Sequence, residues 1–474
     1  MFRPLCSPWL SETDPARPKN WSRGKKWAAT LLISIFAFLQ PLAETMLAPV
    51  ERQMSDDLNI TKPHEWIMVN TFFLIGVALS PLLLAPLSEV YGRKPILIAA
   101  SSISAIWLAA CGAAQALDQM LAFRALSGFG ASVADALAGG VLSDLWAAEE
   151  RGTAFAVFMA APLLGPGLGP ILGGFVSEGV GWRWIFWIMA IASGVCIFAS
   201  IFLLHEMYEP RLIERREKQA RKRAGIPKPT KTAAEEWKTF SALMRHNLQR
   251  PFRMIATQVI VQILAVYMGI LYGICFLFMY IYPRMWTEQY GQSVSIGSLN
   301  YISFSLGLIG GVFLAGALND RIYLHLKRRN NNTGRPEFRI PTMLLGTTMI
   351  PIGLLWWGWS GDAKLHWIMP NIGSFLFAAG MYNCSACVAV YTIDTYTQFA
   401  ASAISTNILL RSLASVFFPL FAPYMFDSLG FGRSSSILAG VFAIVGFGTV
   451  TGLWLFGERL RARSRYCAAE DDVD

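Results

Sequence analysis

Long apolar runs broken by short charged gaps set the pattern of this chain. A helix that crosses about 30 Å of hydrocarbon needs roughly 20 apolar residues, because no backbone polar group can stay unpaired there. Twelve segments reach that length: about 27–49, 66–87, 95–116, 119–143, 153–176, 182–204, 254–282, 296–318, 341–359, 365–391, 400–426 and 434–456. Charges in nearly every gap make the number firmer than the edges, and twelve excludes a seven-helix receptor. Residues 1–26 hold six Lys or Arg and no apolar run. No cleavable signal peptide is therefore expected, and the run starting at Trp27 is a retained first span.

The pattern predicts an all-α polytopic membrane protein with twelve transmembrane helices in two six-helix pseudo-repeats. A cytoplasmic tail (1–26) leads into a first six-helix bundle (27–204). A polar central loop (205–253), a second bundle (254–456) and a cytoplasmic tail (457–474) follow. The halves echo each other. Ala85-Pro-Leu87-Ser-Glu89 follows the second span and Gly316-Ala-Leu318-Asn-Asp320-Arg321 the eighth, each placing a small residue, a Leu and an acid at spacing two. Two repeats with a site between them is the plan of a transporter. Within the central loop, Glu214–Gly225 is either a surface amphipathic helix against anionic lipid or a solvated linker.

Composition agrees with this pattern. The 474 residues are 54% hydrophobic and 15% charged, with a mean hydropathy of +0.43; a soluble domain carries about 45–50% and about 25%. A net charge of +9 suggests nucleic acid until the charges are placed. With the N-terminus inside, cytoplasmic segments hold 32 Lys and Arg, against six outside: Arg52, Lys62, Arg183, Arg284, Lys364 and Arg433. That bias puts both termini in the cytoplasm. The positives are orientation signals, with no aromatic-interleaved basic domain to hold a duplex. The remaining two, Arg124 and Arg411, fall inside spans.

Ala85-Pro-Leu-Ser-Glu89-Val-Tyr-Gly92-Arg93-Lys94 resembles the cytoplasmic loop between helices 2 and 3 of the major facilitator superfamily, pattern G-x-L-x-D-R-x-G-R-K. Ala85 stands where Gly is usual, and Glu89 replaces Asp. An acid at one helix end and the Arg93–Lys94 pair at the next form a latch across the loop, and Gly92 permits the tight turn. In the partial second copy, Asp320 and Arg321 are the matching latch residues. Leu121-Ala-Phe-Arg124-Ala-Leu-Ser-Gly128-Phe-Gly130-Ala-Ser132 resembles the superfamily's helix-4 pattern, an Arg followed by small residues. An Arg within an apolar span is costly unless it pairs or lines a cavity. Glu44 is its candidate partner. Helix 1 runs outward and helix 4 inward, and at 1.5 Å per residue both groups lie roughly 10 Å below the outer surface. An acid that burial favours neutral and a nearby Arg favours charged could load and release protons. A permanent ion pair, or a Glu44 that snorkels to the interface, is the alternative.

The fifth span carries Ala161-Pro162-Leu-Leu-Gly165-Pro166-Gly-Leu-Gly169-Pro170-Ile-Leu-Gly173-Gly174. It resembles the G-x-x-x-G-P-x-x-G-G pattern associated with proton-driven antiporters. Gly165, Gly169 and Gly173 form one smooth stripe, while Pro162, Pro166 and Pro170 bend the helix. Such a stripe is either a hinge that also closes a proton leak or a generic packing face. Further matches resemble the fungal twelve-span drug:proton antiporter branch, which exports drugs, polyamines and secondary metabolites. They are Gly152, Gly181-Trp182-Arg183-Trp184, Pro336–Pro341, Tyr391-Thr-Ile-Asp394-Thr-Tyr396, Arg411 and Phe418-Pro419-Leu420.

The resemblance implies a proton-coupled antiporter that exports a small organic molecule, such as a secondary metabolite, organic acid or drug, by alternating access. Uptake by a symporter or facilitator on the same fold, or a non-transporting sensor, remains the alternative. No cofactor is expected beyond the proton gradient; the partners are protons, a small-molecule substrate and the bilayer, and the chain is expected to act as a monomer. The cell membrane is its expected location, with the vacuole or another internal membrane as the alternative. Asp135 is either a second titrating site or a helix–helix hydrogen-bond cap. Asn70, Gln262, Tyr267, Tyr272, Asn300, Asn383 and Arg411 are candidates for the substrate cavity, although such residues also serve helix packing. Cys384-Ser-Ala-Cys387 has zinc-like spacing but no second pair, so core cysteines are expected and no metal. There is no G-x-x-x-x-G-K-[ST] loop for ATP, and no His, Asp or Glu cluster that an embedded enzyme would need. Asn59-Ile-Thr61 faces outside as a candidate glycosylation site.

Overall fold

The computed structural model describes residues 14–223, 252–396, 400–462 and 464, and every regular element among them is a helix. The expected tails beyond these limits, and central-loop residues 224–251, lie outside the described residues. Eleven helical stretches are long and apolar enough to cross a bilayer. The spans of the first half are Arg23–Thr45, Pro63–Tyr91, Arg93–Gly112, a fourth in two pieces (Leu117–Ala131 and Val133–Leu145), Ala148–Val180 and Arg183–Leu203. Those of the second are Val259–Arg284, Tyr301–Arg329, Ile340–Asp362, Ile368–Thr395 and a final run, Ala400–Ala462.

That final run has 63 residues. At 1.5 Å per residue it would extend about 95 Å, three times the hydrocarbon thickness, so it must hold two crossings. The break is Gly430, at φ 75° and ψ 177°. Only glycine adopts that region without strain. The twelve expected crossings are therefore present, with one difference from expectation. The polar gap at 427–433 is not a loop, because a single glycine interrupts the helix and hydrogen bonding resumes directly.

A helix spans Glu209–Arg223, so Glu214–Gly225 is helical as far as Arg223. It pairs with the segment before the first span, Arg216 with Asp14 (2.7 Å) and Arg17 with Glu209 (3.4 Å).

Two compact units emerge from the contacts. The first comprises Met1–Ala43, Gly76–Gly165 and Phe186–Leu248; the second comprises Glu44–Ile75, Pro166–Ile185 and Gln249–Asp474. The second unit thus joins the outer segments of the first, second, fifth and sixth spans to the second half of the sequence. Within it the fifth span comes close to two neighbours. A Cβ on Gly173 would fall on the Met46 carbonyl, and one on Gly174 would lie 2.5 Å from Ser298 Oγ. Within the first unit, a Cβ on Gly165 would lie 2.7 Å from Pro41 Cγ. The helix Ala148–Val180 runs through Pro166, Gly169 and Pro170 without interruption, so the small residues serve close approach to the first and eighth spans. In hydrocarbon, where apolar surface gains little from leaving the solvent, such contacts replace hydrophobic burial.

Two pairs of substitutions check these points. Gly430→Ala should destabilise the protein by about 1–3 kcal/mol, because alanine is strained at this φ. Gly440→Ala, where a Cβ meets nothing within 4 Å, should be neutral; thermal unfolding in detergent reads both. Gly173→Ala should cost about 1–3 kcal/mol by overpacking against backbone, whereas Gly179→Ala on the same helix has open space and should leave the midpoint unchanged.

Candidate functional site

Glu44 is the penultimate residue of the first-span helix and is 4% exposed. Its carboxyl stands at the carbonyl end of that helix, where the macrodipole opposes negative charge. Within the second unit, Asn70 Nδ2 donates to the Glu44 backbone oxygen at 2.7 Å, tying the second span to this helix end. Within the first unit, Arg124 is fully buried. Its Nη1 donates to the Ala43 carbonyl at 3.4 Å, and its guanidinium carbon lies 5.7 Å from the centroid of Phe186. The fourth span breaks at Ser132 (φ −86°, ψ 12°), and Asp135 is exposed in the first turn of the new helix, where an acid is favoured by the dipole.

At the cytoplasmic end of the first unit, the latch residues are wired differently from expectation. Glu89 is exposed, and Arg93 reaches past it. Arg93 Nε pairs with Asp144 at 3.3 Å, and Nη1 donates to Ser88 Oγ at 2.6 Å. Glu206, 6% exposed, accepts from the backbone N–H groups of Arg93 (2.9 Å), Met207 (3.1 Å) and Tyr208 (3.0 Å), capping the third-span helix from a distance. Gly92 is required there: its φ is 104°, and a Cβ would collide with the Glu206 carboxylate. Lys94 donates to the carbonyls of Ile201 (2.8 Å) and Leu204 (2.6 Å), closing the end of the sixth span. The second unit repeats the scheme. Arg339 pairs with Asp394 (3.1 Å) and Asp320 (2.9 Å), and Arg461 pairs with Glu337 (2.9 Å). Arg93–Asp144 and Arg339–Asp394 are corresponding pairs, each joining the start of one span to the end of the next. Arg321 makes no ion pair among the described residues.

The candidate cavity residues of the second half divide into two sets. Most are locked in packing. Tyr267 is fully buried with its hydroxyl 3.0 Å from Thr347 Oγ1, and Asn383, also fully buried, donates to the Thr342 carbonyl at 2.7 Å. Asn300 accepts from Asn371 at 2.7 Å and donates to Gln292 at 3.0 Å, while Tyr282 donates to Asn371 at 3.1 Å. These bonds border an aromatic cluster in which Phe278 lies 4.6 Å from Trp357 and 4.8 Å from Phe377, centroid to centroid. Gln262 is exposed and donates to the Ile255 carbonyl across the start of the seventh-span helix at 2.7 Å. Cys384 and Cys387 are buried free thiols, and no cluster of metal ligands occurs among the described residues. Tyr272 and Arg411 form the other set. They meet, Nη1 to hydroxyl at 3.2 Å, and both stay partly exposed.

An outer ionic network was not legible beforehand. In the second unit, Arg52 pairs with Glu288 (3.3 Å), Arg284 with both Glu288 (3.3 Å) and Asp427 (2.8 Å), and Arg183 with Asp57 (2.5 Å). Asp57 also accepts from Trp182 Nε1 at 2.9 Å, and Glu178 accepts from Ser295 N at 3.1 Å. Arg52, Arg284, Glu288 and Asp427 of this network line a cleft of about 290 Å³, together with Glu51 and Lys62 among others. The tetrapeptide Gly181–Trp184 was the visible trace of this network; the acids were not. Asn59 is exposed and has φ 52° after the helix Glu51–Asp57. Asparagine tolerates that left-handed helix end well, which accounts for the residue whether or not it carries a sugar.

Residues 33–419 match the model of the Major Facilitator Superfamily. The chain is 40% identical over 460 residues to the efflux pump vrtL of Penicillium aethiopicum, covering 97% of this chain and 91% of that protein. It is 34% identical to the efflux pump radE of Floropilus chiversii, with 97% and 85% covered. It is similarly 34% identical to the MFS-type transporter oryF of Aspergillus oryzae, with 97% and 95% covered. The partially occluded, inward-open xylose transporter XylE of E. coli has a similar fold, with a TM-score of 0.66 at 17% identity over 91% of this chain and 98% of that one. The protein is a multi-span membrane transporter rather than an enzyme, and it belongs to the Major Facilitator Superfamily.

Proposed function

We propose that this transporter is a proton-coupled antiporter that exports a small organic molecule from the cell, acting as a monomer in the cell membrane. Supporting the direction of transport, its relatives vrtL and radE are named efflux pumps. Supporting the coupling is one observation above all: a buried carboxyl, Glu44, follows directly on the carbonyl to which the buried Arg124 guanidinium donates. In this reading Glu44 takes a proton from the outer side, which weakens its attraction to the Arg124 charge, and releases it inward when the cargo has left. The alternation needs no cofactor. Each proton entering supplies about 1.4 kcal/mol per unit of pH difference, and about 2.3 kcal/mol per 100 mV of membrane potential. The cytoplasmic pairs Arg93–Asp144 and Arg339–Asp394 act as the latches, each firming one corner of its own unit while the protein changes which side it opens to.

The test is export from cells that express the wild-type chain or Glu44→Gln, followed by metabolite profiling of the medium with and without a protonophore. Wild-type export should collapse with the gradient. Glu44→Gln should reach the membrane in equal amount but lose gradient-driven export, by about tenfold or more for a group that transfers protons directly. Export by the variant that keeps its dependence on external pH would overturn the assignment.

A further inference from the structure

In the eleventh span Arg411 has no carboxylate partner among the described residues. Arg411 stands 11 residues into the run from Ala400, and Tyr272 stands 13 residues into the helix from Val259. At 1.5 Å per residue each lies about 17–20 Å from the cytoplasmic end of its helix, deep in the membrane. Arg411 Nη1 donates to the Tyr272 hydroxyl at 3.2 Å, and its guanidinium carbon lies 4.6 Å from the ring centroid. Among the described residues no Asp or Glu pairs with it, and its Nε and Nη2 donate to no described group. An arginine at this depth is tolerated when it faces a cavity and meets an anion or carbonyls; a single tyrosine supplies only part of that. Asn407 lies one turn away on the same helix face. It is 6% exposed, and its Oδ1 accepts no hydrogen bond among the described residues.

We infer that Arg411, Tyr272 and Asn407 form the anchor for the cargo, and that the cargo is a carboxylate carrying a neighbouring hydroxyl. The Nε–Nη2 edge is a planar pair of donors whose spacing matches the two oxygens of a carboxylate. Tyr272 holds the guanidinium plane by its ring and hydroxyl, so the fork is oriented before the ligand arrives. Asn407 supplies an acceptor for the hydroxyl. This rests on the transport reading above and names the chemistry of the molecule carried.

The experiment is calorimetric titration of the purified full chain in detergent, at neutral pH and without a gradient, so that it is independent of proton coupling. The probes are 1-hydroxy-2-naphthoic acid, its methyl ester and 2-naphthoic acid. Wild type should bind the hydroxy acid at least about tenfold more tightly than the ester, as expected for hydrogen bonds to a charged group. Arg411→Gln should abolish that preference, and Arg411→Lys should retain a reduced one, since an ammonium keeps the charge but not the fork. Asn407→Ala should weaken the hydroxy acid while leaving 2-naphthoic acid unchanged. Glu44→Gln should keep the acid preference, which separates a failure of the anchor from a failure of coupling. No binding of the acid by wild type, equal affinity for acid and ester, or an unchanged preference in either Arg411 variant overturns the inference. If Arg411→Gln does not survive size-exclusion chromatography, Arg411→Lys decides alone.

Discussion

Hydrocarbon offers no hydrogen bonds and little dielectric, so every polar group that enters it must bring its own partner. The all-helical architecture of the described residues, the twelve crossings and the placement of the few buried charges follow from that constraint. Helices satisfy the backbone internally, but at the breaks carbonyls and N–H groups reappear. The chemistry collects at these places. Asn70 and Arg124 both donate to carbonyls where the first-span helix ends, at Ala43 and Glu44. The fourth span opens at Ser132 and receives Asp135 in its next turn. A transporter needs polar groups at depth, and interruptions of its helices are where the bilayer tolerates them.

Outside the hydrocarbon the same charges follow different rules. Exposed ion pairs are individually weak, and several of those found here are partly exposed. Their effect comes from connection. Glu288 is shared by Arg52 and Arg284, and Arg284 reaches on to Asp427. At the cytoplasmic face, Glu206 gathers three backbone N–H groups beside the Arg93–Asp144 pair. Charge thus joins segments distant in sequence, where close packing through glycine joins helices inside the bilayer.

The legible part of the sequence was the part governed by local rules. Apolar length alone placed the twelve crossings near their observed positions, and the pattern around Gly92 marked a turn that the structure confirms as a glycine-only conformation. What could not be read was partnership across distance. Arg93 pairs with Asp144, 51 residues on, rather than with Glu89; nothing local distinguishes the two acids. Tyr267, Asn300 and Asn383 resembled cavity residues, yet their hydrogen bonds close on Thr347, Asn371 and the Thr342 carbonyl. In a helix apolar on every side, composition does not tell which face meets protein and which meets an open site. The polar gap at 427–433 marked the break between the last two spans, but not that a single glycine, Gly430, makes it without a loop.

The make-up of the second unit also sets an order of events during synthesis. Residues 44–75 and 166–185 belong with a body that begins at Gln249. Arg52 waits for Glu288, Thr71 for the Val416 carbonyl and Glu178 for Ser295. At about 5–20 residues per second, roughly 10–35 s pass between emergence of residue 75 and of residue 249. Throughout that interval the newborn first half holds its outer ends without their eventual neighbours. The second half of the chain therefore completes the packing of those outer segments of the first.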